Sequence, residues 1–527
     1  MVDVSEPEKS NSHGPSALSR HNTAVTRISA RVAQFHKAGT PFRIFHGNTN
    51  STRPSIRTLS ETVDISDLNH VISVDTEKRT CLVEPNVPMD LLVASTLPLG
   101  LVCPVVPEFP GITVGGGHAG TAGESSSFRH GFFDRCINWF EMVLADGQVV
   151  VASSEEGSER KDLFDGAAGT FGTLGVATLF EIRLVPAKTY VELTYLAVRS
   201  IEDAQREIAE QAEDESVDFL DGIMFAPDGG VVMAGRFAEQ KDKDQHLPVA
   251  TFTGPWDDWF YLHAESQLKS IRATTSSSVQ PPPRELVPLT DYLFRYDRGA
   301  FWTGRWAFEY FYTPFTRLMR YAFDYCFHTR VMYHALHRSG LMQRFIIQDM
   351  AIPNRNIPAF SHWLDAELPD IYPRWLCPLK LNESVSMHPH SAPAANTRDD
   401  ILLNIGVWGP TPSRYTQIGI NRKIESKLSS LGGMKWLYAQ TFYTEDEFWG
   451  IYDRRWYEAL RKKYHAEGLP TVYEKVRTKV DEKDLLFGDG RGAKIGVEKG
   501  FWSIWPFAGV YGVLSVFKGG KDYLRKG

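Results

Sequence analysis

The residue types and spacings best suited to chemistry lie in a glycine-rich stretch. From Pro107 to Gly131 the chain reads PEFPGITVGGGHAGTAGESSSFRHG, with seven glycines, a cluster of Ser and Thr, and little charge. Glycine lets the backbone take positive φ and come close to a ligand. Successive free N–H groups in such a loop form a nest for anions, and neutral hydroxyls add donors. A diphosphate is the natural guest. Ile112, Val114, Phe128, Phe132 and Phe133 punctuate the stretch, whereas a flexible linker lacks fixed apolar positions. Two further loops share this character. One is His46, Gly47, Asn48, Thr49, Asn50, Ser51 and Thr52, ending at Arg53; on its own it reads equally as a plain turn. The other runs from Gly166 to Gly175.

Strands and helices must hold these loops. The apolar run 101–106 predicts a buried strand leading into the long loop. Val25, Ile28, Val32 and Phe35 recur at helical spacing. Short strands are expected at 42–45, 62–65, 70–75 and 79–84. Asp146-Gly147 between apolar runs predicts a hairpin. None of the three loops precedes the long helix of a dinucleotide-binding βαβ unit, so the Rossmann fingerprint is absent. Residues 19–187 therefore read as one α+β domain, after a disordered stretch 1–18.

A second domain is expected over 188–478. Its later part alternates as strand, helix, strand, strand, helix, strand, the split βαβ order, with the last strand at 435–442. This predicts an antiparallel sheet with helices on one face. Residues 301–338 read as helical, aromatic and basic. They suit core helices first, and the wall of an apolar ligand channel or membrane contact second. In the tail 479–527, Gly500 to Phe517 is an uncharged run of eighteen residues; a spanning helix needs about twenty. Packing on the protein itself and contact with a membrane both fit.

Composition narrows the class. A 527-residue chain predicts two or three domains. A net charge of −7 argues against nucleic-acid binding. The five cysteines, Cys81, Cys103, Cys136, Cys326 and Cys377, form no C-x-x-C pair. No disulfide framework or metal site is expected, and a reducing compartment fits best. Residues 1–15 are polar and do not read as a secretory signal or membrane anchor.

Ordered segments across residues 22–475 carry a family likeness. Among them are VEPNVPM (83–89), PEFPGITVGG (107–116), GESSSFRHGFFD (123–134), YDRGAFW (296–302), QDMAIP (348–353) and WLYAQTFYTEDEFW (436–449). The first domain resembles the FAD-binding domain of the vanillyl-alcohol-oxidase / p-cresol-methylhydroxylase type. The whole resembles the 24-dehydrocholesterol reductase (delta-24-sterol reductase) family. The resemblance implies an α+β fold: a two-part FAD-binding domain plus a substrate (cap) domain whose antiparallel sheet is flanked by helices. It implies non-covalent FAD, NADPH as electron donor, and reduction of a carbon–carbon double bond in the side chain of a sterol or similar terpenoid. It places the protein in the cytosol or at the endoplasmic reticulum surface. The sequence departs from the family in the loop HGNTNSTR, in the extra tail, and in lacking the N-terminal anchor segment typical of members.

On this reading the cofactor lies against three sets of residues. The first is His46, Gly47, Asn48, Thr49, Asn50 and Ser51. The second is Thr113, Val114, Gly115, Gly116, Gly117, Gly120, Thr121, Gly123, Ser125, Ser126, Ser127 and Gly131. The third is Gly172, Thr173, Gly175 and Val176. Reducing an isolated alkene takes a hydride at one carbon and a proton at the other, so a neutral acid must stand close. Tyr438 is the expected donor and Tyr443 the alternate; strand alternation points them to opposite faces. Arg298 is expected either near the flavin pyrimidine ring or in an ion pair. His118 occupies the loop where some relatives attach flavin covalently. Two other functions stay open: an FAD-linked oxidase or dehydrogenase of an alcohol or hydroxy acid, and a non-catalytic flavin-fold scaffold.

Overall fold

The computed structural model describes residues 16–47, 51–53, 57–239, 247–274, 281–381, 386–388, 401–479, 506–518 and 525–526. Asn48, Thr49 and Asn50 lie outside the described residues, as does the stretch 1–15.

The first helix, Ala17–Lys37, begins inside the stretch read as disordered. Ser16 caps it, its hydroxyl accepting the Ser19 amide at 3.2 Å. Val25, Ile28, Val32 and Phe35 are buried as their spacing predicts. This face packs on a five-stranded antiparallel sheet ordered Val71–Asp75, Thr80–Val83, Gly175–Arg183, Ile137–Leu144, Val149–Ser153. The last two form the expected hairpin around Asp146-Gly147. A small parallel pair, Arg43–Phe45 with Thr62–Asp64, stands beside it. The run 101–106 gives only a two-residue strand, Leu101–Val102. Pro104 has no N–H for a ladder, so the rest of the run is buried as irregular backbone.

The second domain is one eight-stranded antiparallel sheet built from two copies of the same order. The first copy runs Tyr190–Val198, Ile201–Glu213, Phe219–Ala226, Gly229–Ala238, Phe260–Thr274, Arg284–Pro288. The second runs Phe345–Pro353, Ile357–Glu367, Arg374–Lys380, Ile401–Pro410, Gln417–Ser430, Met434–Lys435. In each copy the fourth strand lies outermost, then first, third and second; the two second strands meet through Gly222 opposite Leu376. The sequence shows the full order only in the second copy; the first is legible through its third strand, Gly229–Ala238.

Alternate residues of the strands face two cores. Leu220, Met224, Val232, Ile346, Leu376 and Ile405 pack under the helices Ile201–Glu213, Ile357–Glu367 and Gln417–Ser430. Ile223, Val231, Ile347, Trp375, Cys377 and Trp408 join the main core shared with the first domain. The helix Phe260–Thr274 packs on this second side through Phe260, Tyr261 and Ala264. Helices thus cover both faces of the sheet, not one, because the face turned toward the first domain is apolar too.

After the sheet the chain returns to the first domain through the helices Glu445–Ile451, Arg454–Lys463 and Val472–Val476. Tyr457 Oη lies 2.8 Å from Thr173 Oγ1, and Tyr464 Oη donates to Asp162 at 2.6 Å. A tail helix, Phe507–Lys518, packs along Thr329–Ser339, and Arg525–Lys526 pairs in parallel with Arg57–Thr58. No helix of the described residues is long and apolar enough to cross a membrane.

Candidate active site

A cavity lies between the two domains, and both supply its walls. From the first domain come Thr113, Gly115, Gly116, Gly120 and Gly123 of the long loop, with Gly172 and Gly175 of the third. His46 and Ser51 contribute from the loop after Arg43–Phe45. From the second come Trp375, Cys377, Asn404, Trp408, Trp436 and Tyr438.

The long loop works differently from the nest expected of it. Residues Val114–Ala119 form a short helix capped by Thr113, whose hydroxyl accepts the Gly116 amide at 3.2 Å. The Val114 and Gly115 amides donate to Val87 and Pro85 carbonyls at 2.9 and 2.8 Å. These three N–H groups are already committed, so the glycines serve by leaving out side chains and bringing the cavity to the backbone. Gly172 meets the other expectation: its φ of 70° is the left-handed conformation that disfavours a side chain.

One side of the cavity is cationic. Arg43, Arg53 and Lys475 line it. Arg53 lies 5.0 Å over the Phe171 ring and donates to the Lys475 carbonyl at 3.3 Å, while the Lys475 ammonium donates to the Phe171 carbonyl. Three cations beside glycine backbone suit a diphosphate.

Another side is aromatic and acidic. Trp408 and Tyr333 pack against Phe109 with ring centroids at 6.0 and 6.2 Å. Tyr438 Oη donates to Asp349 Oδ2 at 2.5 Å, and Asn404 Nδ2 donates to Asp349 Oδ1 at 3.1 Å. Gly406 opposes Asp349 in the strand pair, and an added Cβ there would stand 2.8 Å from Oδ1, so glycine makes room for the carboxylate. Burial raises the Asp349 pKa, against the pull of its hydrogen bonds. Glu108 also lines the cavity; burial, then the nearby Glu124 and Asp349 carboxylates, push it up to about 8. Among the described residues neither acid has an ion-pair partner. Burial and the Asp349 charge raise Tyr438 as well, which makes it a weaker acid. His118 lines the cavity with its ring against Phe140 and Phe180; burial lowers its pKa to about 4, so it is neutral.

Several expected residues stand elsewhere. Arg298 is buried away from the cavity, donating to Asp324 at 2.7 Å and to the carbonyls of Asp257 and Pro255 at 2.9 Å each. It clamps a loop, which corrects its placement near a flavin ring. Tyr443 is buried outside the cavity walls, its carbonyl accepting from Tyr473 at 3.2 Å. The predicted strand 435–442 is also corrected: pairing stops at Lys435 and a turn carries Tyr438.

Ser125, Ser126 and Ser127 are buried at the domain junction, where the Ser125 carbonyl accepts the Leu220 amide at 2.8 Å. The Thr121 carbonyl accepts Trp436 Nε1 at 2.8 Å. Thr173 bonds to Tyr457, Val114 and Val176 are core, and Gly117 lies under Phe133. Gly47 and Gly131 take positive φ in turns beside the cavity walls rather than in them.

Sequence reasoning missed Glu108 and Asp349, although both sit inside motifs already singled out. The signal was a carboxylate within an apolar run. Arg298 takes the other of its two expected places, an ion pair with Asp324. Arg295, three residues before Arg298, is fully buried and pairs with Glu124 and Asp221 at 2.9 Å each, joining the glycine loop to the cap.

Residues 23–153 match the family model "FAD binding domain". Human Delta(24)-sterol reductase is 29% identical over 418 residues, covering 78% of this chain and 76% of its own. The Pisum sativum Delta(24)-sterol reductase is 29% identical over 453 residues, 79% and 76%. A Caenorhabditis elegans homologue of these reductases is 26% identical over 484 residues, 88% of each.

The chain is similar to delta(24)-sterol reductases over more than three quarters of its length.

The FAD-binding domain, residues 23–153, forms one side of the cavity. The residues present fit the cofactor. The cationic side would suit a diphosphate, the glycine backbone would leave room for an extended dinucleotide, and the cap tryptophans would suit an aromatic ring system. Among the described residues no cluster suited to a metal ion occurs.

Proposed function

We propose that the protein reduces a carbon–carbon double bond, the delta-24 bond in the side chain of a sterol or sterol-like terpenoid, with FAD as cofactor and NADPH as electron donor. The observation that carries this reading is the likeness to delta(24)-sterol reductases through both halves of the chain. The cavity needs both halves, so a resemblance confined to the FAD-binding domain would say nothing of the substrate. The working place is the cytosol or the endoplasmic reticulum surface.

FAD, bound there, supplies the hydride chemistry. The residues proposed to hold it are His46, Ser51, Thr113, Gly115, Gly116, Gly120, Gly123, Gly172 and Gly175, with Arg43, Arg53 and Lys475 facing its diphosphate. The cap tryptophans shape an apolar slot and exclude water. Tyr438 is proposed to give the proton: its O–H bond breaks as a C–H bond forms at the second alkene carbon. Asp349 fixes the direction of that hydroxyl.

One observation favours a second reading of the donor. Asp349 holds the Tyr438 proton and weakens the phenol as an acid, whereas Glu108 stays protonated near neutral pH. Glu108 would then protonate the carbon, and Tyr438 would position Asp349.

Anaerobic mixing with NADPH tests the reading. Flavin absorbance bleaches, and a delta-24-unsaturated sterol restores it with a mass gain of two hydrogens. Protein that NADPH does not bleach, but an alcohol does, is an oxidase or dehydrogenase instead. Protein without flavin affinity is a scaffold.

A further inference from the structure

The described residues expose fifteen large apolar side chains, and nine of them fall in one region. Tyr312, Leu318, Tyr321, Phe323 and Tyr325 lie on the segment that precedes the helix Thr329–Ser339. Trp256 joins them, its ring 5.0 Å from Tyr321. The tail helix Phe507–Lys518 adds Val510, Tyr511 and Leu514. It is seated beside this segment, with Gly509 against Tyr310 and Phe311 and Gly512 against the Ala335 carbonyl. A single exposed apolar residue means nothing, but a contiguous group marks an interaction surface.

Charge says what covers it. The protein has a net charge of −7, yet residues 301–344 hold six arginines against Glu309 and Asp324 alone. Arg338 and Arg344 are exposed and, among the described residues, make no ion pair; Arg317, also exposed, makes none but donates to the Trp256 carbonyl at 2.8 Å. Tyr and Trp rings with a cationic fringe are the composition of a bilayer interface, where rings sit at headgroup depth and arginines meet anionic headgroups. A protein core patch would be poorer in unpaired arginine.

We propose that this face, built from the aromatic segment 310–325 and the tail helix Phe507–Lys518, docks on the surface of an anionic phospholipid bilayer. It does so without crossing it, since the tail helix has twelve residues and a span needs about twenty. The face also stands one helix from the active cavity: Thr329–Ser339 carries the tail helix on one side and gives Tyr333 to the cavity on the other. Docking would bring the cavity to the membrane that holds a water-insoluble substrate; this loading role, unlike the docking itself, rests on the substrate reading above.

The test floats the FAD-loaded full-length protein with phosphatidylcholine vesicles, with and without about 30% phosphatidylserine. The protein rises with the serine lipid, and less so as salt is added. A Tyr312→Ser/Leu318→Ser/Tyr325→Ser protein and a Tyr511→Ser/Leu514→Ser protein each lose at least about tenfold in the bound fraction. Their flavin absorbance and melting temperature stay as in the parent. They reduce a detergent-solubilised sterol at the parent rate but a vesicle-embedded one more slowly. Vesicle recovery equal to the parent's in both variants overturns the proposal. So does a parent dimer in sedimentation that the substitutions split while nothing floats, because a second copy then covers the face. Failure of NADPH to bleach the flavin removes the substrate reading and leaves the flotation result standing.

Discussion

Tyr438 Oη and Asp349 Oδ2 stand 2.5 Å apart although 89 residues separate them in sequence. Asp349 lies on the strand Phe345–Pro353, and Met350 on that strand pairs with Lys435. The pairing delivers the turn that follows, and with it Tyr438, to the cavity. If Tyr438 gives the proton, Tyr438→Phe lowers sterol-dependent reoxidation of the flavin by at least about 100-fold. NADPH bleaching continues at the parent rate, because that half-reaction needs no proton at the alkene. Stopped-flow absorbance of the two half-reactions checks both. A parent-like reoxidation rate removes the tyrosine from the chemistry.

Glu108 gives the second reading its pH signature. Its acid form is the proton source, and its pKa is raised to about 8. Reoxidation by sterol should therefore hold below pH 7 and fall as pH rises through about 8. Glu108→Gln abolishes that basic limb with flavin binding intact, and Glu108→Asp keeps it at reduced rate. A limb unchanged in Glu108→Gln assigns it to another group.

Arg295 and Arg298 should part company on substitution. Arg295→Met leaves Glu124 and Asp221 buried without their cation and costs about 3–5 kcal/mol in urea unfolding. Arg298→Lys breaks the clamp on Asp324 and the loop carbonyls, lowering the melting temperature. It leaves the flavin midpoint potential where it was, since Arg298 does not line the cavity.

His21 ties the first helix to the sheet through Glu84 at 2.9 Å and Glu141 at 3.1 Å. Burial opposes its charge, but hydrogen bonds and charge from Glu141 and Glu84 prevail and raise its pKa to about 9. A raised histidine stabilises fully below its unfolded value of about 6.5 and loses that contribution as pH climbs through about 9. Both carboxylates are lowered, so their share is lost in acid instead. His21→Gln should thus cost most near pH 6, about 3 kcal/mol, and little at pH 10. Melting curves of the two proteins at both pH values check the sign.

Local pattern was readable wherever neighbours in sequence set it. The helix face of Val25, Ile28 and Val32, the Asp146-Gly147 hairpin and the second strand-helix repeat all follow from short-range periodicity. The run 101–106 and the stretch 435–442 misled for different reasons. Pro104 breaks the ladder in the first, and the second leaves the sheet after Lys435 to carry Trp436 and Tyr438 into the cavity wall.

The sequence by itself determined that glycine loops and a family of colinear motifs belong to an FAD-binding domain with a cap, and it named Tyr438. It could not rank the rest of the site, because acidity and access depend on what is packed nearby. Glu108 and Asp349 became notable only when burial in a shared wall raised their pKa values. Arg298 lost its place when the fold turned it onto a loop. The long glycine loop changed its meaning most. Its first amides are spent on Thr113, Pro85 and Val87, contacts that no sequence spacing reveals, so what it offers a cofactor is room.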